Sequence, residues 1–149
     1  MSAATDKIED LLDDKGHEIH SIGPDATVLD AVDMMCERRI GALLVATTQA
    51  TLGILSERDV LKRVILEGRE PDQTCVEDVM TRAVACVHDT TPVGDAMAIM
   101  TERRCRHLPV VAHGAVVGIV SIGDIVRWLS REQETEIRML TGYVRGECR

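Results

Sequence analysis

Two serine–aspartate pairs carry the residue types and spacing that could do chemistry: Ser56 with Asp59, and Ser121 with Asp124. Each sits in the pattern G-x-x-S-x-x-D, as Gly53-Ile54-Leu55-Ser56-Glu57-Arg58-Asp59 and Gly118-Ile119-Val120-Ser121-Ile122-Gly123-Asp124. Two kinds of chemistry use this spacing. A serine three residues ahead of an acid, before an apolar-periodic helix, resembles a capping box, and the carboxylate is favoured beside the positive helix end. The same helix start, with its N–H groups and dipole, suits a phosphate. A carboxylate one turn in can also accept hydrogen bonds from the two vicinal hydroxyls of a ribose. The motif alone admits both readings.

The elements that position these pairs come from a duplication. The spacing of 65 residues between Ser56 and Ser121 also aligns Val28-Leu29-Asp30-Ala31 with Val93-Gly94-Asp95-Ala96. It aligns Glu37-Arg38-Arg39 with Glu102-Arg103-Arg104, and Leu43-Leu44-Val45 with Leu108-Pro109-Val110. From Asp25 to Val60 this gives 14 identities in 36 positions. Further upstream, Ile8-Glu9-Asp10-Leu11-Leu12 resembles Val76-Glu77-Asp78-Val79-Met80 at a spacing of 68. The boundaries are therefore drawn at 8–70 for the first repeat, 75–130 for the second and 131–149 for a tail.

One repeat reads β-α-β-β-α. Ile19 to Ile22 is a short β-prone run stopped by Gly23-Pro24,. Asp25 or Thr27 caps a helix with an apolar stripe through Val28, Ala31, Val32 and Met35,. Ile40–Ala46 and Leu52–Leu55 are strands, and Ser56 opens a helix through Val60, Val64 and Ile65. The second repeat follows through 85–87, 93–100, 108–111, 116–120 and 121–129, with Pro92 at the first helical position,. The predicted fold class is α+β: two βαββα repeats packed sheet-to-sheet with pseudo-two-fold symmetry, plus a C-terminal helix. A single repeat has too small a core to be secure alone. Running from the end of the second repeat into the tail, Trp128 to Tyr143 reads as a charged helix whose sparse seam of Trp128, Ile137 and Leu140 suits docking on a partner.

Composition excludes several classes. The 149 residues hold no Phe, one Trp and one Tyr, so stacking platforms for single-stranded nucleic acid are nearly absent, and a net charge of −8 opposes polyanions,. The acidic start is unlike a signal peptide, and no apolar run reaches the roughly 20 residues of a membrane span. Five cysteines with no CxxC pair fit a reduced, cytoplasmic protein,. Cys105-x-His107 is half of a metal site without a second pair, so no metal is expected,. No G-x-S-x-G, H-E-x-x-H or P-loop motif is present,. Cys105 beside Arg106 and His107 is the one candidate for an activated thiol and reads more simply as structural.

Taken together, the paired G-x-x-S-x-x-D motifs, Asp78-Val79-Met80-Thr81 and Arg106-His107-Leu108-Pro109-Val110-Val111 make the chain resemble a tandem CBS-domain protein (a Bateman module). The stretch Ser56–Val60 and the charged tail are similar to stand-alone bacterial members. The resemblance implies adenosine-ligand sites in a cleft between the repeats and no catalysis. It implies that Asp59 or Asp124 holds the ribose hydroxyls, with Ser56 and Ser121 nearby. Adenine then lies against His20-Ser21-Ile22 and Ala85-Cys86-Val87, while Ile40-Gly41-Ala42 and Cys105-Arg106-His107 line the cleft. Arg106, His107 and Arg58 are the candidates to meet phosphate. The repeats differ here, because Gly41-Ala42 aligns with Arg106-His107 and Arg58 with Gly123, so one strong and one weaker or empty site are expected.

A ribose carboxylate with basic phosphate partners ranks AMP, ADP or ATP first, NAD second and S-adenosylmethionine third. Ligand binding is expected to bridge the repeats and shift the population of one arrangement. Partners implied are a homodimeric copy and an unnamed target protein, with neither nucleic acid nor membrane. The competing reading is a structural dimerisation module with unoccupied sites.

Overall fold

The computed structural model describes residues 3–82 and 84–131. Their elements are α1 (Ile8–Lys15), β1 (Ser21–Ile22), α2 (Val28–Arg38), β2 (Ala42–Ala46), β3 (Thr51–Ser56), α3 (Glu57–Val60), β4 (Val87–His88), α4 (Val93–Arg103), β5 (His107–Ala112), β6 (Ala115–Ser121) and α5 (Ile122–Leu129). The fold class is α+β. Two three-stranded sheets form among the described residues, ordered β1-β2-β3 and β4-β5-β6. Each joins a parallel pair to an antiparallel one. Registers respect the duplication: Leu43 faces Leu55 as Leu108 faces Val120, and Ile22 faces Val45 as Val87 faces Val110.

The compact units are not the contiguous repeats. One unit comprises residues 18–84, the other Met1–His17 together with Ala85–Arg149. In the first, Ile22, Val28, Ala31, Met35, Leu43, Val45, Leu55 and Val64 share a core with Val76, Val79 and Met80. In the second, α1 supplies Ile8, Leu11 and Leu12 to a core of Val87, Val93, Ala96, Met100, Leu108, Val110, Val120 and Ile125. Each βαββα core is thus completed by the leading segment of the other repeat. The apolar residues of both leading segments match one another, which is why sequence alone cannot show the exchange.

Local departures have local causes. Thr27 caps α2 by accepting from Asp30 N at 3.1 Å, which settles the choice against Asp25. Pro92 is the N-cap of α4 and not its first helical residue. After one turn α3 widens into a π-helix over Leu61–Ile65, closed by Leu66 N to Leu61 O at 3.0 Å. This widening carries Val64 fully into the core while Leu61 and Ile65 stay exposed. Both α2 and α4 end on an arginine in the left-handed conformation, Arg39 at φ 56° and Arg104 at φ 54°.

Trp128 does not form an outward docking seam. Its ring packs against the core of its unit, its Nε1–H donates to Asp6 Oδ2 at 3.1 Å, and the Arg131 guanidinium lies 4.8 Å from its centroid. The remainder of the expected tail helix, with Ile137 and Leu140, lies outside the described residues.

Candidate functional site

In the unit of residues 18–84, the turn from β3 into α3 builds the site. Ser56 ends the strand and caps the helix: its Oγ accepts from Asp59 N at 3.2 Å, while Asp59 Oδ2 accepts from Ser56 N at 3.0 Å and Ser56 Oγ at 3.1 Å. The other carboxylate oxygen, Oδ1, takes the Thr81 hydroxyl at 3.0 Å. Asp59 is 8 % exposed, so these bonds replace most of its water,. Arg63 stands 4.0 Å from Oδ1 and donates to the carbonyls of Val79 and Met80 at 3.0 and 2.8 Å. Thr81 is held in place by two backbone bonds with Ile54, of 3.0 and 2.9 Å.

The other unit repeats the capping box with different company. Ser121 Oγ accepts from Asp124 N at 3.1 Å, and Asp124 Oδ2 accepts from Ser121 N at 2.8 Å. Where Asp59 receives a threonine hydroxyl, Asp124 receives cations: Lys15 Nζ at 2.6 Å and Arg127 Nη2 at 2.7 Å. Lys15 also donates to the Ile119 carbonyl at 2.8 Å. Burial pushes the Asp124 carboxyl up, but the Lys15 hydrogen bond and charge, with the Ser121 bonds, outweigh it and hold it below the ordinary carboxylate range,.

A lowered folded value stabilises the protein above the unfolded value, about 3.9, and that contribution is lost as pH falls through the folded one. The stability gap between wild type and Asp124→Asn is therefore expected to shrink as pH is lowered from 7 to 3 in thermal melts. A gap that holds constant over that range contradicts the assignment.

Strand pairing brings some of the remaining expected residues to these turns. Ala42 pairs with Ser56, and His107 with Ser121. Gly41 O accepts from Glu57 N at 3.0 Å, and Arg106 O accepts from Ile122 N at 2.8 Å. The first and third helical N–H groups of α3 and α5 are thus satisfied within the chain, as the capping reading of the motif expects,. Arg58 and the Arg106 residue are exposed, and His107 is half-buried.

Ser21 and Ile22 pair with β2, while His20 is half-buried with Nε2 3.8 Å from Glu18 Oε2. Cys86 is exposed, Ala85 half-buried and Val87 buried at the start of β4. Ile40 and Gly41 line a cavity of about 480 Å³ with Val32, Met35, Cys36, Arg39, Glu57, Val60 and Leu61. Neither Ser56 nor Asp59 lines it. Burial pushes the Cys105 thiol up, the opposite of what activates a nucleophile,. Among the described residues no three His, Cys, Asp or Glu side chains cluster as metal ligands.

Four residues around the carboxylates escaped the sequence reading. Thr81 was visible only as part of the motif before the second repeat. Arg63 and Arg127 follow their aspartates by one turn, a spacing shared with any surface ion pair. Lys15 is 109 residues from Asp124 and had no signal at all.

Two βαββα cores, each with a serine-capped aspartate, define a tandem-repeat module. The chain belongs to the CBS domain family, whose model matches residues 8–66 and 76–131. It is 41 % identical over 127 residues to the CBS domain-containing protein CBSX3, mitochondrial, of Arabidopsis thaliana, covering 82 % of this chain and 62 % of that protein. A second Arabidopsis relative, CBSCBSPB3, is 42 % identical over 97 residues, or 64 % of this chain, but is covered over only 17 % of its length. The matched stretch thus spans less than two thirds of either relative. Among solved structures, the CBS domain protein NE2398 is 43 % identical with a TM-score of 0.79, covering 82 % of this chain and 95 % of that one. A proposed signal-transduction protein with CBS domains from Burkholderia ambifaria is 37 % identical with a TM-score of 0.83, covering 86 % and 96 %. No helix among the described residues is long and apolar enough to cross a membrane.

Proposed function

We propose that the chain is a non-catalytic regulatory module that binds an adenine nucleotide of the AMP, ADP or ATP type through a ribose-holding carboxylate. The observation that carries this reading is Asp59, a largely buried carboxylate whose Oδ1 already accepts an alcohol hydroxyl, that of Thr81, at 3.0 Å. A ribose diol offers the same donor chemistry. Arg58, Arg106 and His107 are the proposed phosphate partners. NAD ranks second because it shares the adenosine half, and S-adenosylmethionine third because it has no phosphate for those basic groups.

Binding shifts the population of one conformation, and the signal passes to a protein target or through pairing of two chains. Pairing is supported by the exposure of Leu29, Leu61, Ile65 and Leu66 in the unit of residues 18–84,. The cytoplasm is the proposed location, a reading supported by the free state of Cys36, Cys75, Cys86 and Cys105,.

The test is calorimetric titration of the nucleotide-stripped chain with AMP, ATP, NAD and S-adenosylmethionine. AMP is expected to bind on the order of micromolar, and Asp59→Asn to weaken it roughly 10- to 150-fold, the 1.5–3 kcal/mol of a hydrogen bond to a charged group. Folded protein that binds none of the four refutes the reading. It leaves a structural pairing module, which the two complete capping boxes on their own would serve.

A further inference from the structure

The two carboxylates are made alike by sequence and unlike by their partners. At Asp59, Oδ2 accepts from Ser56 and Oδ1 from the Thr81 hydroxyl, all neutral donors, while Arg63 at 4.0 Å is directed to two carbonyls. An incoming diol replaces such donors in kind. At Asp124, Oδ2 is bonded by Lys15 at 2.6 Å and Oδ1 by Arg127 at 2.7 Å. A neutral diol would have to displace two cations, breaking bonds in which donor and acceptor are both charged, and a hydroxyl does not replace these in kind.

The two cations are not equally held. Arg127 has 73 % of its side chain exposed, and such a surface ion pair contributes little and yields readily,. Lys15 is 35 % exposed, against 10 % for Asp124, and has a second anchor on the Ile119 carbonyl at 2.8 Å. It also ends α1, whose Ile8, Leu11 and Leu12 are at most 2 % exposed, so the ammonium is presented from a fixed element. A lysine in the last turn of a helix is in turn favoured by the helix dipole.

We infer that Lys15 is a built-in occupant of the Asp124 carboxylate, so that this chain has one working ribose position, at Asp59, and one closed by its own lysine. The inference rests on the nucleotide reading above and assigns its stoichiometry. It also says which repeat holds the strong site and which the weaker or empty one, a choice that the sequence leaves open.

The experiment counts AMP bound per chain by calorimetry, with ATP as a second probe, on wild type, Lys15→Met and Lys15→Gln. Lys15→Gln keeps a donor for the Ile119 carbonyl without the charge, and it guards against a Lys15→Met chain that fails to fold. Wild type is expected to bind one nucleotide per chain, weakened at least tenfold by Asp59→Asn and unchanged by Asp124→Asn. Either lysine variant is expected to gain a second site, removed again by adding Asp124→Asn. Two sites in wild type, no second site in either folded lysine variant, or weaker binding on losing the lysine charge overturns the inference and leaves the nucleotide reading standing. Failure of every protein to bind AMP or ATP refutes the nucleotide reading itself, and the inference with it.

Discussion

Gly53→Ala is expected to destabilise the chain by about 3 kcal/mol, the upper part of the range for overpacking, because a methyl there strikes backbone and not a movable side chain. A Cβ on Gly53 meets the Thr81 carbonyl oxygen well inside van der Waals contact, with the Thr81 carbonyl carbon at 3.2 Å and Met80 Sδ at 3.3 Å. The Thr81 segment cannot retreat cheaply. Doing so breaks both Ile54–Thr81 backbone bonds and pulls the carbonyls of Val79 and Met80 away from Arg63. It also withdraws the Thr81 hydroxyl from Asp59, so AMP affinity should fall together with stability. The equivalent Gly118→Ala meets only the tip of Leu12, at 2.9 and 3.0 Å, and is expected to cost nearer 1 kcal/mol,. Urea unfolding of the two variants checks this; equal midpoints would mean that the Thr81 segment is free to move.

The contrast between these glycines marks where the sequence stops being legible. Both repeats, their order of strands and helices and both capping boxes are readable, because a period of 65 residues and the S-x-x-D spacing are local patterns. Gly53 and Gly118 were visible as motif letters, but what approaches each of them is set by tertiary contact. Thr81 against Asp59 spans 22 residues and Lys15 against Asp124 spans 109, and neither pairing follows from periodicity or propensity. The widening of α3 at Leu61–Ile65 was illegible for a similar reason. Its residues read as ordinary helix formers, and burial of Val64 together with the Arg63 bonds to Val79 and Met80 accompanies the change of pitch. At the two helix starts the S-x-x-D spacing leaves capping and phosphate binding both open. Backbone carbonyls of Gly41 and Arg106, brought up by strand pairing, had already taken the first helical N–H groups.

The exchanged leading segments give the second large effect. Leu12→Ala is expected to cost about 3–4 kcal/mol, since Leu12 is fully buried and core Leu→Ala changes span roughly 2–5 kcal/mol according to how well the site can collapse,. Collapse is hindered here. The Leu12 methyls fill the space above Gly118, which has no side chain to move into the void. Gly118→Ala should therefore cost less in the Leu12→Ala background than in wild type, or even recover stability, because its methyl then enters a cavity. Hydrogen exchange locates the damage. Leu12 shares its core with Val87, Leu108, Val110 and Val120, so lost protection should concentrate in β4, β5 and β6,. Loss concentrated instead in β2 and β3, the strands of the repeat that contains Leu12 by sequence, would show that each repeat keeps its own leading segment.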